Sequence, residues 1–228
     1  KLVDLLREEA DYLGYEGSPY NALLENYERG MTIEKLDVIF NGLLEKQSLL
    51  YKSILSRKGI KSKFYGIKWD EDKQKQITLE LLNCIGFDFS AGRQDVSVHP
   101  FTTNLDIWDV RITTRFSEEN LFSGIYSTLH ECGHALYEQG FRIEDRGTWL
   151  SQAPSYGIHE AMSRFWENIV GRSFAFCKFI YPILKNYFSD EFSKISPEDI
   201  YEEVNQVKEN FIRVEADECS YNLHIILR

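Results

Sequence analysis

The chain has 228 residues, 43% hydrophobic and 27% charged, the proportions of a globular protein long enough to bury a substantial core. Its net charge of −10 argues against the basic footprint that general nucleic-acid binding needs. No apolar run approaches the ~18 residues of a membrane span, no signal peptide is visible, and the four cysteines are scattered without a Cys-x-x-Cys pair. The expectation is a soluble, cytoplasmic chain, neither membrane-bound nor disulfide-framed, with all four thiols buried or partly buried.

Residues 1–86 read as helical. Leu2, Leu5, Leu6 and Leu13 form one apolar stripe over 1–13. Ser18-Pro19 opens a second helix that Gly30 ends, and Thr32 caps a long one over 33–56. Residues 57–63 are a basic, solvated linker, followed by a helix over 70–85 with Gly86 behind it. The texture changes over 87–116, where alternation around Val96-Ser97-Val98 and Val110-Arg111-Ile112-Thr113 predicts two or three short strands. Residues 117–228 return to helix. Ser117 is the expected N-cap of the first, with Glu118 and Glu119 in its opening turn and Gly140 at its end. Phe165, Trp166, Ile169 and Val170 mark another. Ser196-Pro197-Glu198-Asp199 starts a third, and the pattern predicts helix over most of 201–227. One domain spanning 1–228 is expected.

The chemistry concentrates in His130-Glu131-Cys132-Gly133-His134. Two histidines at i and i+4 share a helix face, so both imidazoles can reach one metal ion, and Glu131 can take a proton from the water that the metal activates. Histidine is scarce, five in the chain, and chance would give such a match on the order of 1% of the time or less. Cys132 falls off the ligand face. Gly133 costs about 1 kcal/mol of helix propensity relative to alanine, which suggests close approach by another backbone or a substrate. A catalytic zinc needs a third protein ligand. Glu160 and His159 both qualify, and the residues by themselves leave the choice open. Glu138, Glu144, Asp145 and Glu167 read as solvated acids.

Five motifs together resemble the M32 metallocarboxypeptidases. His99-Pro100-Phe101 is similar to that family's His-Pro-Phe, and Asp109 to Thr113 to its Asp-x-Arg-x-Thr. The decapeptide from His130 to Gln139 is similar to its metal helix, His159-Glu160 to the start of its His-Glu-Ser-Gln, and Ile212 to Asp217 to its Ile-Arg-x-x-Ala-Asp. The likeness runs from about Tyr15 to Arg228. It implies a mainly α, zincin-like helical metallopeptidase with a short β-sheet beside the metal-binding helix. It further implies His130, His134 and Glu160 as metal ligands, Glu131 as general base, and His159 as an active-site neighbour. Zinc, or cobalt, would be the cofactor and a homodimer the assembly. Peptides with a free C-terminal carboxylate would be the substrates, cleaved with broad specificity and poorly next to proline. A guanidinium recognises a carboxylate through two parallel hydrogen bonds, which nominates Arg111 and Arg213. His99, Thr113 and His159 would line the same groove, and Glu215, Asp217 and Glu218 are candidate acceptors behind a metal-bound histidine.

Two departures stand out. Ala161-Met162 replaces the family's Ser-Gln, and a family motif of the form Gly-x-x-Gln-Asp-x-His-Trp has no counterpart here. The expectation is a truncated member. Competing readings are a non-catalytic metal-binding chain that needs a partner, motivated by the apolar run 223–227, and a zinc endopeptidase.

Overall fold

The computed structural model describes residues 1–57, 59–213 and 216–227. Glu215 lies outside the described residues. The elements in chain order are α1 (Leu2–Leu13), α2 (Pro19–Leu24), α3 (Ile33–Leu55), α4 (Glu71–Ile85), β1 (Gly92–Val96), β2 (Thr102–Asp106) and β3 (Asp109–Thr114). There follow α5 (Leu121–Gln139), α6 (Tyr156–Arg164), a π-helical run Phe165–Val170, α7 (Phe174–Tyr187), α8 (Pro197–Val204) and α9 (Tyr221–Ile226). Contacts divide the chain into two compact units, one of Lys1–Gly59, Pro154–Ile158 and Val207–Arg228, the other of Ile60–Ala153 and His159–Gln206.

The first unit holds α1, α2, α3 and α9. Ser18 and Thr32 cap α2 and α3 as their sequence positions predict, each accepting a backbone N–H through its hydroxyl. Asn21 Oδ1 accepts from Ile33 N at 2.8 Å, and Gln47 of α3 donates to the Cys219 carbonyl at 2.8 Å just before α9. The helix expected over 201–227, with 213–221 left open, is interrupted well before that stretch: α8 stops at Val204, and described residues between it and α9 form turns and irregular chain. Asp217 explains the restart. Its carboxylate accepts from the backbone N–H groups of Lys208, Cys219 and Ser220, which fixes the turn into α9. The run 223–227 is largely covered, with Leu227 its exposed member.

The second unit carries the larger core. Trp69, Ile77, Leu81, Leu121, Ile125, Leu129, Ile180, Leu184, Phe188 and Phe192 are almost wholly buried around α4, α5 and α7, each large apolar side chain contributing roughly 1.5–3 kcal/mol. Asp70 and Gly86 bracket α4 as expected, Gly86 in the left-handed conformation. Ser196 and Asp199 form a reciprocal capping box on α8. α5 starts later than its sequence suggests. Asn120, not Ser117, is the N-cap, its Oδ1 accepting from Phe122 N and Ser123 N. The reason is tertiary: the Ser117 carbonyl accepts from the Gln74 amide and the Glu118 carbonyl from Trp69 N, which holds both residues outside the helix. Gly140 ends α5 at φ −81°, without left-handed geometry.

The sheet order is β1-β3-β2, with β1 parallel and β2 antiparallel to β3. Val110 and Ile112 point to α5, where they bury against Cys132 and Ala135. By alternation, Arg111 and Thr113 face away from α5. Thr102 and Asn104 pair with Ile112 and Val110, so both lie on the α5 face of edge strand β2. Among the described residues, no helix is long and apolar enough to cross a membrane. The cysteines are free, and Cys84 is exposed, contrary to expectation.

Candidate metal centre

α5 presents His130 and His134 one turn apart, and the α6 backbone crosses next to them. A Cβ on Gly133 would stand 2.5 Å from Ser163 Cα and 2.6 Å from the Met162 carbonyl oxygen. Only glycine permits that approach, which accounts for its presence in mid-helix. Close packing lets the short Glu160 side chain span the gap. Its Oε2 lies 3.3 Å from His134 Nε2 and 3.7 Å from His130 Nε2. Ser163 steadies the carboxylate, donating to the Glu160 carbonyl at 2.7 Å and to Oε2 at 3.1 Å.

These three residues are the one His/Cys/Asp/Glu group among the described residues whose ligand atoms cluster closely enough for a metal ion. The spacing fits the ion. A tetrahedral zinc with bonds near 2.0–2.1 Å holds its ligand atoms roughly 3.3–3.4 Å apart, close to the two separations to Glu160. Electrostatics pair the carboxylates with the imidazoles in the metal-free chain, and a metal would have to displace the imidazole protons. Burial opposes ionisation of Glu160, but its hydrogen bond with His134 and the nearby His130 charge outweigh that and hold its pKa at about 2. Burial likewise disfavours a charged His130, yet the hydrogen bond and charge of Glu167, with Glu160 and Glu131 behind, raise its pKa overall.

The other face of α5 meets β2. Glu131 is buried, and its Oε2 accepts from Thr102 Oγ1 at 2.6 Å. Two turns on, Glu138 accepts from the Asn104 amide and from His159 Nε2, the latter at 2.7 Å. His159 also stacks on His134, ring centroids 4.5 Å apart and 21° between planes. Glu138 and Glu167 are therefore not solvated acids. Glu167 receives His130 Nδ1 at 2.8 Å, and burial, which disfavours its ionisation, is outweighed chiefly by that bond and the His130 charge, so its pKa is lowered. Asp145 pairs with Arg142 away from the cluster.

The structure brings His130, His134, Glu160, Glu131 and His159 together, the last two beside the ligands. It does not bring Arg111, Thr113 or His99 to them. Arg111 grips Asp109 with two hydrogen bonds of 2.6 and 2.7 Å on the far face of the sheet. Thr113 Oγ1 accepts from Phe101 N at 2.9 Å. His99 is exposed in the β1–β2 connection, its Nδ1 2.8 Å from the Pro100 carbonyl oxygen. Arg213 lies in the other unit. Sequence reasoning missed Thr102 and Asn104. Their i, i+2 spacing in a short strand was the available signal, but which face meets α5 emerges only from packing. Cys132 is buried against the sheet, off the ligand face, as expected, and burial pushes its thiol pKa up.

A mainly α fold with a three-stranded sheet beside a His-Glu-x-x-His helix and a carboxylate from the next helix has the architecture expected of a zincin-like metallopeptidase. The chain matches the family described as Carboxypeptidase Taq (M32) metallopeptidase over residues 1–228 and belongs to it. It is 41% identical to Carboxypeptidase 1 of Bacillus subtilis and 42% identical to Thermostable carboxypeptidase 1 of Pyrococcus furiosus, each alignment covering 100% of this chain and 46% of the relative. The crystal structure of an M32 carboxypeptidase from Deinococcus radiodurans superposes with a TM-score of 0.93 at 38% identity, over 98% of this chain and 45% of that one. The chain thus spans about half the length of the relatives it matches.

Proposed function

We propose that the chain forms the metal-binding part of a zinc-dependent carboxypeptidase that hydrolyses the C-terminal peptide bond of peptides. The observation that carries the reading is the convergence of three ligand atoms from α5 and α6 within 4.8 Å of one another, with buried Glu131 adjoining. A two-nitrogen, one-oxygen donor set suits zinc, and cobalt can take the same geometry. A divalent cation bound there supplies Lewis acidity toward the scissile carbonyl and acidifies water. Glu131 accepts the water proton and returns it to the departing amine. Thr102 holds its carboxylate for both transfers.

Among the described residues β2 pairs only with β3, so its other edge can receive an extended peptide as a further strand. A groove of about 500 Å³ lies at the C-terminal end of β2, lined by Asn104, Leu105, Arg146 and Ser151 among others. Terminal-carboxylate recognition by Arg111 or Arg213, and groove-lining roles for His99, Thr113 and His159, rest on the family resemblance. Arg111 would first have to release Asp109. Four unbridged thiols accord with a cytoplasmic setting, and a homodimer is the expected assembly.

Glu131→Gln tests the reading. It should retain one equivalent of zinc while release of C-terminal amino acids falls by orders of magnitude. Undiminished turnover would refute the base assignment. Zinc binding without hydrolysis in the unaltered chain would favour a metal-binding chain that needs a partner, and cleavage of C-terminally blocked peptides would favour an endopeptidase.

A further inference from the structure

We infer that Glu167 is a positioning residue that fixes the ring of His130 for metal binding, an inference that rests on the three-ligand reading above. The two ring nitrogens of His130 face different carboxylates. Nε2 lies 3.7 Å from Glu160 Oε2, at the metal position, and Nδ1 lies 2.8 Å from Glu167 Oε2. An Nδ1–H given to a carboxylate leaves the Nε2 lone pair available, so one hydrogen bond sets both tautomer and ring orientation.

The surroundings are built to hold Glu167 in place. Its side chain is only 16% exposed, and Arg164 Nη1 and Arg172 Nη2 stand 3.5 and 3.8 Å from its oxygens. Arg172 is anchored in turn: it lies over the Tyr126 ring at 4.7 Å and donates to the Val204 carbonyl. Glu167 sits in the π-helical run that directly continues α6, closed by Gly171 N–H donating to the Trp166 carbonyl. A Cβ on Gly171 would meet Leu129 Cδ1 at 2.8 Å, so a second glycine keeps this helix tight against α5. π-Helical turns widen a helix locally and recur at functional sites.

His134 provides the contrast. Its Nδ1 is buried with no hydrogen-bond partner among the described residues, and its ring is held by the stack with His159. The carboxylate anchor belongs to His130 alone of the pair.

The test titrates Zn²⁺ and Co²⁺ into the metal-free chain against a chromophoric chelator, with Co²⁺ visible absorption and metal-free thermal unfolding alongside. Glu167→Gln should still bind one equivalent, but roughly 10–100-fold more weakly, with an altered Co²⁺ spectrum. Should that variant fail to fold, Glu167→Asp, whose carboxylate falls about 1.5 Å short, should weaken binding in the same direction. Ile200→Ala, a core truncation on α8, should lower metal-free stability yet bind metal as tightly as the unaltered chain, which separates positioning from general support. Wild-type affinity and spectrum in Glu167→Gln, or equal weakening in Ile200→Ala, would overturn the inference. His130→Ala should lose stoichiometric binding; full binding there would instead overturn the three-ligand reading.

Discussion

The two flanks of α5 hold their polar groups by different means. Toward α6 and the π-helical run, imidazoles of α5 meet carboxylates carried by the following helix, Glu160 and Glu167. Toward β2, glutamates of α5 meet uncharged donors, Thr102 on Glu131 and Asn104 on Glu138. Basic partners on the first flank lower the pKa of Glu160 and Glu167 despite burial, which leaves carboxylates ready for a cation that displaces the imidazole protons. A neutral hydroxyl on the second flank orients Glu131, which suits the proton-transfer role proposed for it. His159 joins the two, bonded to Glu138 and stacked on His134.

Variants on each flank should therefore fail differently. The largest effect below that of Glu131→Gln is expected for Thr102→Val. Losing a hydrogen bond to a charged group costs about 1.5–3 kcal/mol, so turnover should drop roughly 10–100-fold. Metal affinity should not change, and Thr102→Ser should restore turnover. Weakened metal binding in Thr102→Val would erase the distinction.

Gly133→Ala sharpens it from the other side. Helix propensity favours alanine by about 1 kcal/mol, yet the new methyl meets the Ser163 and Met162 backbone. Overpacking of this kind costs roughly 1–3 kcal/mol. Thermal unfolding should show little or negative net change, and metal affinity should fall as α6 is pushed away. A variant both more stable and equally tight for metal would show that the helix contact is dispensable.

The smallest effect serves as a control away from α5. Burial disfavours an ionised Asp199, but Lys63 at 2.7 Å and the Ser196 cap outweigh it, lowering its pKa below the usual carboxylate value. A depressed folded-state pKa contributes stability that is present above the unfolded value and lost as pH falls through the folded one. Asp199→Asn should therefore lower stability at neutral pH and flatten its decline in acid, with metal affinity unchanged. An acid unfolding profile parallel to that of the unaltered chain would remove this contribution. Lys63 accordingly does more than sit in a solvated linker.

Legibility in the sequence followed the range of the interactions. The caps at Ser18, Thr32 and Ser196 were readable because each bond closes within three residues. His130 and His134 were readable because i, i+4 spacing guarantees a shared face, and the Gly133 approach could be anticipated from its propensity cost. The start of α5 was misread because Trp69 and Gln74, more than forty positions upstream, hold the Ser117 and Glu118 carbonyls. Glu138 and Glu167 passed for surface acids because their partners lie 21 and 37 positions away. Glu160 was separable from His159 only through the family resemblance; the fold separates them by turning one carboxylate toward both imidazoles and stacking the other ring on His134.

The most direct measurement is metal stoichiometry and affinity of the purified chain beside Glu160→Ala. The account predicts one zinc per chain with both imidazoles and Glu160 intact, and no stoichiometric zinc in Glu160→Ala while the helical far-UV signal persists. Equal zinc content and affinity in the two proteins would contradict it.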